Sequence, residues 1–175
     1  PAQMNALRKR FGVLFQDGAL FSSLTVEDNV ATPLFEHTDL PRATCRRLAQ
    51  LKLGLAGLPA DVGRKRPSEL SGGMRKRAAL ARAMALDPEI LLCDEPGAGL
   101  DPATAAEIDA LLLSVNRNLG TAVVVVTHEL LSIARLEGRI VMLEDGRCVF
   151  SGPLAQARRC DQPAVRRVAH HQRCV

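Results

Sequence analysis

Two short apolar segments, each followed at once by polar residues, constrain the fold of this 175-residue chain most. The first, ILLC at 90–93, leads into Asp94 and Glu95, and the second, AVVVV at 122–126, leads into a threonine and His128. Uninterrupted apolar runs of this length are typical of strands in parallel sheets. Helix-like stretches alternate with them along the chain. The pattern predicts an α/β fold with a largely parallel sheet.

The rest of the chain supplies further strand and helix signals. Residues 10–15 predict a strand ending in a polar bend, and 139–151 predicts a hairpin whose turn is Asp145-Gly146. Capping residues and prolines place helix starts at Thr25, Pro41 and Pro102, the last with Asp101 as its cap. A segment rich in alanine and leucine predicts a further helix from Met74. We expect one domain, 1–175, that contains a helical subdomain at about 22–85.

The excess of basic residues lies at one end of the chain. The net charge is +4, and residues 158–175 hold five arginines against one aspartate, so this tail accounts for all of it. Aromatic residues make up 3%, without tryptophan or tyrosine, which argues against nucleic acid as a partner. We expect the basic tail, 158–175, to be a solvated end or to contact anionic lipid or a partner.

The cysteines and the apolar runs indicate the cellular compartment of the chain. Five cysteines without CxxC spacing predict neither a disulfide framework nor a zinc site. His170, His171 and Cys174 could ligate a metal, but a basic terminus is a poor cage. No apolar run approaches the roughly 20 residues of a membrane-spanning helix. We therefore expect a cytoplasmic chain.

Asp94 and Glu95 are the strongest candidates for a catalytic site. They follow a predicted buried strand and should emerge at the carboxyl edge of the sheet, where α/β folds bind ligands. In many ATPases the first carboxylate at such a strand end binds Mg²⁺ and the second polarises the attacking water. The alternative is that both acids cap the next turn.

The sequence LSGGM at 70–74 predicts an anion site at the start of a helix. Backbone N–H groups of Gly72 and Gly73, the Ser71 hydroxyl and the helix N-terminus can all face one oxyanion. The alternative is an ordinary capping turn. We expect the adjacent basic residues, 75–77, to form a solvated face, although they could also support phosphate binding.

His128 and Gln16 follow two other predicted strands. If those strands adjoin the one ending at Asp94, His128 could donate to a γ-phosphate and the Gln16 amide could reach Mg²⁺ or the attacking water. Alone, each residue is more typical of a structural position.

In this order the motifs resemble those of the ABC ATPase family over about residues 10–153. Gln16 matches the Q-loop, LSGGM the signature with Met74 in place of the usual glutamine, ILLCDEP the Walker B motif, residues 98–101 the D-loop, and His128 the switch histidine. The resemblance implies a P-loop NTPase fold that binds ATP and Mg²⁺ as a head-to-tail dimer with a second ATPase subunit. It assigns catalysis to Glu95, His128 and Gln16, the metal to Asp94 and Gln16, and cofactor binding to Ser71, Gly72, Gly73 and Asp101.

One family motif, the phosphate-binding GxxxxGK[ST], occurs nowhere in residues 1–175. The family places it before the Q-loop, so the resemblance implies that the first strands and this loop precede Pro1. We expect the 175 residues alone to bind ATP poorly, to be inactive, and to expose 122–126 as an apolar sheet edge. A naturally non-catalytic ATPase is the alternative.

The segment 14–41 and the signature with Met74 look like those of ATPases that drive Mce/Mla-type phospholipid transport. This likeness implies a membrane permease and an Mce-domain lipid-binding protein as partners, and a place on the cytoplasmic face of the inner membrane. Four apolar residues are candidates either for permease contact or for core packing: Phe21, Leu24, Val26 and Leu34.

Three other functions are alternatives, and the sequence argues against the first of them. ABC-type ATPases of DNA repair carry a long coiled coil before the signature, whereas only 53 residues (17–69) separate Gln16 from Leu70 here, without heptads. A soluble ABC translation factor would associate with ribosomes and not with a permease. A docking module without catalysis is the third, and within the ABC ATPase family a substrate class other than phospholipid stays open.

Overall fold

The computed structural model describes residues 2–160 and Val165, and these form two compact units divided after Val126. The α/β class predicted from the sequence is confirmed. The first unit contains α1 (Ala2–Lys9), β1 (Phe11–Leu14), α2 (Val26–His37), α3 (Arg42–Leu55), α4 (Gly72–Ala83), β2 (Ile90–Asp94), α5 (Pro102–Leu119) and β3 (Ala122–Val126), with 3₁₀ turns at Ala60–Arg64 and Pro67–Glu69. The second contains α6 (Leu130–Leu136), β4 (Arg139–Glu144), β5 (Arg147–Pro153) and α7 (Leu154–Ala157).

The first unit is built on a parallel sheet of order β1-β2-β3. Side chains alternate across it, so Leu14, Leu91 and Cys93 share a buried face. Burial raises the pKa of Cys93 to about 12, so its thiol is neutral at pH 7. Among the described strands β3 lies at the sheet edge, as expected, and Val124 is 50% exposed.

Helices α2 to α4 pack together within the stretch predicted to be helical. Thr25 caps α2 as predicted, because its Oγ1 accepts a hydrogen bond from the Asp28 N–H at 3.1 Å. Pro41 precedes α3 as its cap residue, one position earlier than its predicted place in the first turn. A small core of Leu34, Cys45 and Ala85 joins these helices. That the stretch 22–85 is a subdomain of its own stays a prediction.

The second unit contains the predicted hairpin. β4 and β5 are antiparallel, and the turn residues Asp145 (φ 49°) and Gly146 (φ 73°) both have left-handed backbones, as a tight turn between twisted strands requires. Most of the predicted basic tail, 158–175, lies outside the described residues. Over the ranges that the structure does describe, no helix has the length and apolar character needed to span a bilayer.

Candidate functional site

The carboxyl ends of β1, β2 and β3 meet at one edge of the sheet, because the three strands are parallel. Asp94 is the last residue of β2 and is exposed there. Glu95 follows with a left-handed backbone (φ 44°), which is uncommon for a residue with a side chain. Its N–H donates to the Val126 carbonyl of β3 at 2.9 Å. The two carboxylates therefore stand where a ligand of this fold would bind.

Lys76 connects Gln16 with Glu95. It lies on α4 and is 7% exposed, and its Nζ donates to the Gln16 carbonyl and to the Glu95 carbonyl, the latter at 3.0 Å. Burial lowers the pKa of Lys76, while the charges of Asp17, Asp94 and Glu95 act in the opposite direction. The expectation that residues 75–77 form a solvated face is therefore wrong for Lys76.

The expectation of a solvated face is also wrong for Arg77, which is half-buried. Its guanidinium donates to the Ala56 carbonyl at 3.0 Å and to Glu107 at 2.8 Å. Successive helical residues are turned by about 100° from one another, so neighbouring residues of one charge can have different surroundings. Only Arg75 of the three is exposed.

The signature loop forms the N-terminus of α4. Helix α4 begins at Gly72, two residues before its predicted start, because Ser71 is its cap and accepts from the Met74 N–H at 3.2 Å. Gly73 is needed for packing, since a Cβ there would lie 2.6 Å from the Thr104 methyl carbon on α5. Ser71 and Gly72 are exposed. An exposed helix N-terminus of this kind can receive an anion.

Asp101 has a structural role at the start of α5. Its Oδ1 accepts from the N–H groups of Ala103 (3.1 Å) and Thr104 (3.0 Å), which caps α5 as predicted. The Thr104 hydroxyl donates to the other carboxylate oxygen at 2.5 Å. These hydrogen bonds, first of all that from the Thr104 side chain, lower the pKa of Asp101. Its contribution to nucleotide binding stays a prediction.

His128 belongs to the second unit and is exposed, two residues after the end of β3. Its role as a donor to the γ-phosphate stays a prediction.

Two polar residues that the sequence did not single out hold the segment after Gln16. Arg82 of α4 donates to the carbonyls of Ala19 at 2.7 Å and Gly18 at 2.8 Å. Asn29 is fully buried, exchanges hydrogen bonds with both backbone groups of Phe21 and also donates to the Thr25 carbonyl at 2.9 Å. The sequence carries no signal for either role beyond polar residues on helices.

The four candidates for permease contact separate by burial. Val26 and Leu34 are 0% and 3% exposed and belong to the core, so the contact reading is wrong for them. Leu24 is half-buried. Phe21 is 52% exposed, and the Arg82 guanidinium carbon lies 5.9 Å from its ring centroid.

Replacing Asn29 by alanine is expected to lower the free energy of unfolding by about 2–3 kcal/mol, because buried backbone groups lose their partners. Chemical denaturation measures this, with the exposed Asn118→Ala as the matched control, expected to change stability by less than about 0.5 kcal/mol. A loss in Asn29→Ala no larger than in the control would contradict the buried clamp.

Mg²⁺ is the metal that the sequence predicts at this edge of the sheet. Among the described residues no group of three or more histidine, cysteine or acidic side chains could enclose a metal ion. Magnesium typically takes one or two protein oxygens and completes its shell with water and substrate phosphates. The Asp94 carboxylate, exposed at the end of β2, is an oxygen donor of that kind, and its role as a metal ligand with the Gln16 amide stays a prediction.

A parallel sheet with paired carboxylates at its carboxyl edge and a glycine-rich helix start is typical of nucleotide-binding α/β proteins. The family profile described as "ABC transporter" matches residues 2–98, more than half of the chain. The chain therefore belongs to the ABC transporter family.

Curated relatives narrow the comparison. The probable ribonucleotide transport ATP-binding protein Mkl of Mycobacterium tuberculosis is 42% identical over 171 residues, which covers 98% of this chain and 47% of Mkl. The intermembrane phospholipid transport system ATP-binding protein MlaF of Escherichia coli K12 is 40% identical over 165 residues, covering 94% and 61%. The chain thus spans about half the length of the curated relatives it matches.

Solved structures agree with the fold. The ATP-binding cassette MJ0796, in a dimeric post-hydrolysis state bound to ADP and Pi, superposes with a TM-score of 0.77 at 34% identity, covering 87% of this chain and 66% of that one. CbiO1 of Clostridium perfringens, part of the transporter complex CbiONQ, gives a TM-score of 0.76 at 26% identity and covers 94% and 68%. The predicted ABC ATPase fold is confirmed.

Proposed function

We propose that this chain carries the ATP-hydrolysing site of an ABC transporter that moves phospholipid. One observation supports the site most. Lys76 donates to the carbonyls of Gln16 and Glu95, so the backbones of two proposed catalytic residues adjoin at the sheet edge, next to Asp94.

Each residue has a chemical part in the proposed reaction. The Glu95 carboxylate polarises the attacking water, the Gln16 amide orients it, and the His128 imidazole donates to the γ-phosphate. Asp94 and Gln16 would hold Mg²⁺, which neutralises charge on the phosphates when bound.

The second half of the site comes from a partner subunit of the same kind in this proposal. The exposed N-terminus of α4, with Ser71, Gly72 and Gly73, closes over the γ-phosphate of ATP held by the other protomer, with Asp101 nearby. The dimeric form of MJ0796 supports a paired arrangement.

A membrane permease and an Mce-domain lipid-binding protein are the further proposed partners, with this chain on the cytoplasmic face of the inner membrane. The exposed Phe21 and the half-buried Leu24, both on the segment after the Q-loop, are the remaining apolar candidates for permease contact.

Phospholipid is the proposed substrate because the segment 14–41 and the Met74 signature resemble the Mce/Mla-type ATPases, and because MlaF is 40% identical. The name of Mkl supports a second candidate, ribonucleotide transport.

The two substrates can be separated in one assay. The subunit, in a polypeptide that includes the family's phosphate-binding loop, is assembled with the permease of the same transporter and placed in vesicles. ATP-dependent transfer of labelled phospholipid, without movement of a labelled uridine nucleotide, is the expected result. Nucleotide movement without lipid transfer would replace phospholipid by ribonucleotide.

A further inference from the structure

Lys76 occupies a position that an ordinary helix lysine avoids. It lies in the second turn of α4 and is 7% exposed, whereas its neighbour Arg75 is exposed. Burying an ammonium group costs several kcal/mol unless charges and hydrogen bonds compensate it. A buried lysine therefore needs acceptors for its donors and negative charges nearby.

The two carbonyls that accept hydrogen bonds from Lys76 lie just after two neighbouring strands. One is the Gln16 carbonyl, just past the end of β1, and the other is the Glu95 carbonyl, just past the end of β2. The carboxylates of Asp17, Asp94 and Glu95 are close enough to favour the charged ammonium. One cation thus joins the two backbone segments that carry the proposed catalytic side chains.

The Glu95 backbone needs such support. Its φ of 44° lies in the left-handed region, where a residue with a side chain is strained by about 1–3 kcal/mol. The Glu95 N–H is fixed by the Val126 carbonyl at 2.9 Å, and the Glu95 carbonyl accepts from both Lys76 and the Ala98 N–H. Without Lys76 the Glu95 carbonyl loses the hydrogen bond from the ammonium and keeps the one from the Ala98 N–H.

We propose that Lys76 is a positioning residue, which donates to both carbonyls and so keeps the Gln16 and Glu95 side chains in the relative placement that hydrolysis requires. The inference rests on the proposed ATPase function. Lys76 itself touches neither nucleotide nor water in this account. Its loss should therefore slow turnover and leave ATP affinity nearly unchanged.

The test compares Lys76→Met, which removes all donors, with Lys76→Arg, which keeps several in a planar group. Lys65→Met is the matched control, because Lys65 is half-buried in the helical region and its Nζ lies 3.8 Å from the Asp61 carboxylate in an ion pair. All variants are made in the transporter complex, with the phosphate-binding loop present. ATP turnover, KM for ATP and the folded fraction by circular dichroism are measured for each.

In Lys76→Met we expect kcat per folded subunit to fall at least about tenfold, with KM for ATP changed less than about threefold. In Lys76→Arg we expect kcat to lie within about threefold of the parental value. A residue that only stabilises the fold would lower the folded fraction and leave kcat per folded subunit unchanged. If Lys76→Met does not fold, Lys76→Gln takes its place, because its shorter amide can reach at most one of the two carbonyls.

Two outcomes would overturn the inference, and they differ. An active parent with Lys76→Met, or its Lys76→Gln substitute, as active per folded subunit as Lys65→Met would overturn the positioning role alone. A parent complex that does not hydrolyse ATP would overturn the proposed function and, with it, this role.

Discussion

Replacing Glu95 by glutamine is expected to reduce ATP turnover at least about a hundredfold while ATP binding persists. Glutamine has nearly the same shape, but its amide cannot accept a proton from the attacking water, and general-base catalysis contributes about 10²- to 10⁴-fold. Asp94, the proposed metal ligand, is untouched. Turnover and equilibrium ATP affinity, measured in a polypeptide that includes the phosphate-binding loop, test the loss of hydrolysis and the persistence of binding.

Glu36→Gln is the matched control, because Glu36 is exposed on α2, away from the sheet edge. It should keep parental turnover. If Glu95→Gln also stayed within about threefold of the parent, Glu95 would lose its proposed role as the group that polarises water.

Replacing Ser71 by arginine is expected to abolish hydrolysis without weakening ATP binding to the isolated subunit. Ser71 is exposed at the N-terminus of α4, and in the proposed dimer it faces the partner's nucleotide. A long side chain there blocks closure. The lost cap costs about 1 kcal/mol, which the folded unit should tolerate.

Ser68→Arg controls for the added charge and bulk, because Ser68 is exposed in the 3₁₀ turn just before the signature. Titration of the monomer with ATP and turnover at saturating ATP give the two readouts. An equal loss of monomer affinity in Ser71→Arg would show that this loop serves its own nucleotide.

The elements that the sequence predicted well are those whose signal is local. The apolar run before Asp94 forms β2, Thr25 and Asp101 cap the helices that follow them, and Asp145-Gly146 forms the hairpin turn. Each depends on residues within a few positions of one another. A single sequence is therefore enough to locate them.

Lys76 was misjudged because its environment depends on distant residues. Its carbonyl partners are 60 and 19 positions away, and only the packing of α4 near the strand ends brings them within reach. Three consecutive basic residues on a helix give no indication of which one points inward. Asn29 is similar, since its partner Phe21 lies in an irregular segment that no periodicity describes.

The start of α4 differed for a related reason. The helix propensity of glycine is about 1 kcal/mol lower than that of alanine, so composition favours a start at Met74. The Ser71 hydroxyl caps the helix at Gly72 instead, and the close approach of Thr104 leaves no room for a side chain at Gly73. Capping and packing together outweigh the local propensity there.

The central claim, that ATP hydrolysis at Glu95 drives phospholipid movement, is tested most directly by measuring both events in one preparation. The assembled transporter in phospholipid vesicles is given Mg-ATP, and phosphate release and labelled-lipid transfer are followed together in the parent and in Glu95→Gln. We predict that the parent shows both and that Glu95→Gln shows neither. Lipid transfer by Glu95→Gln at the parental rate, or transfer by the parent without ATP, would contradict the account.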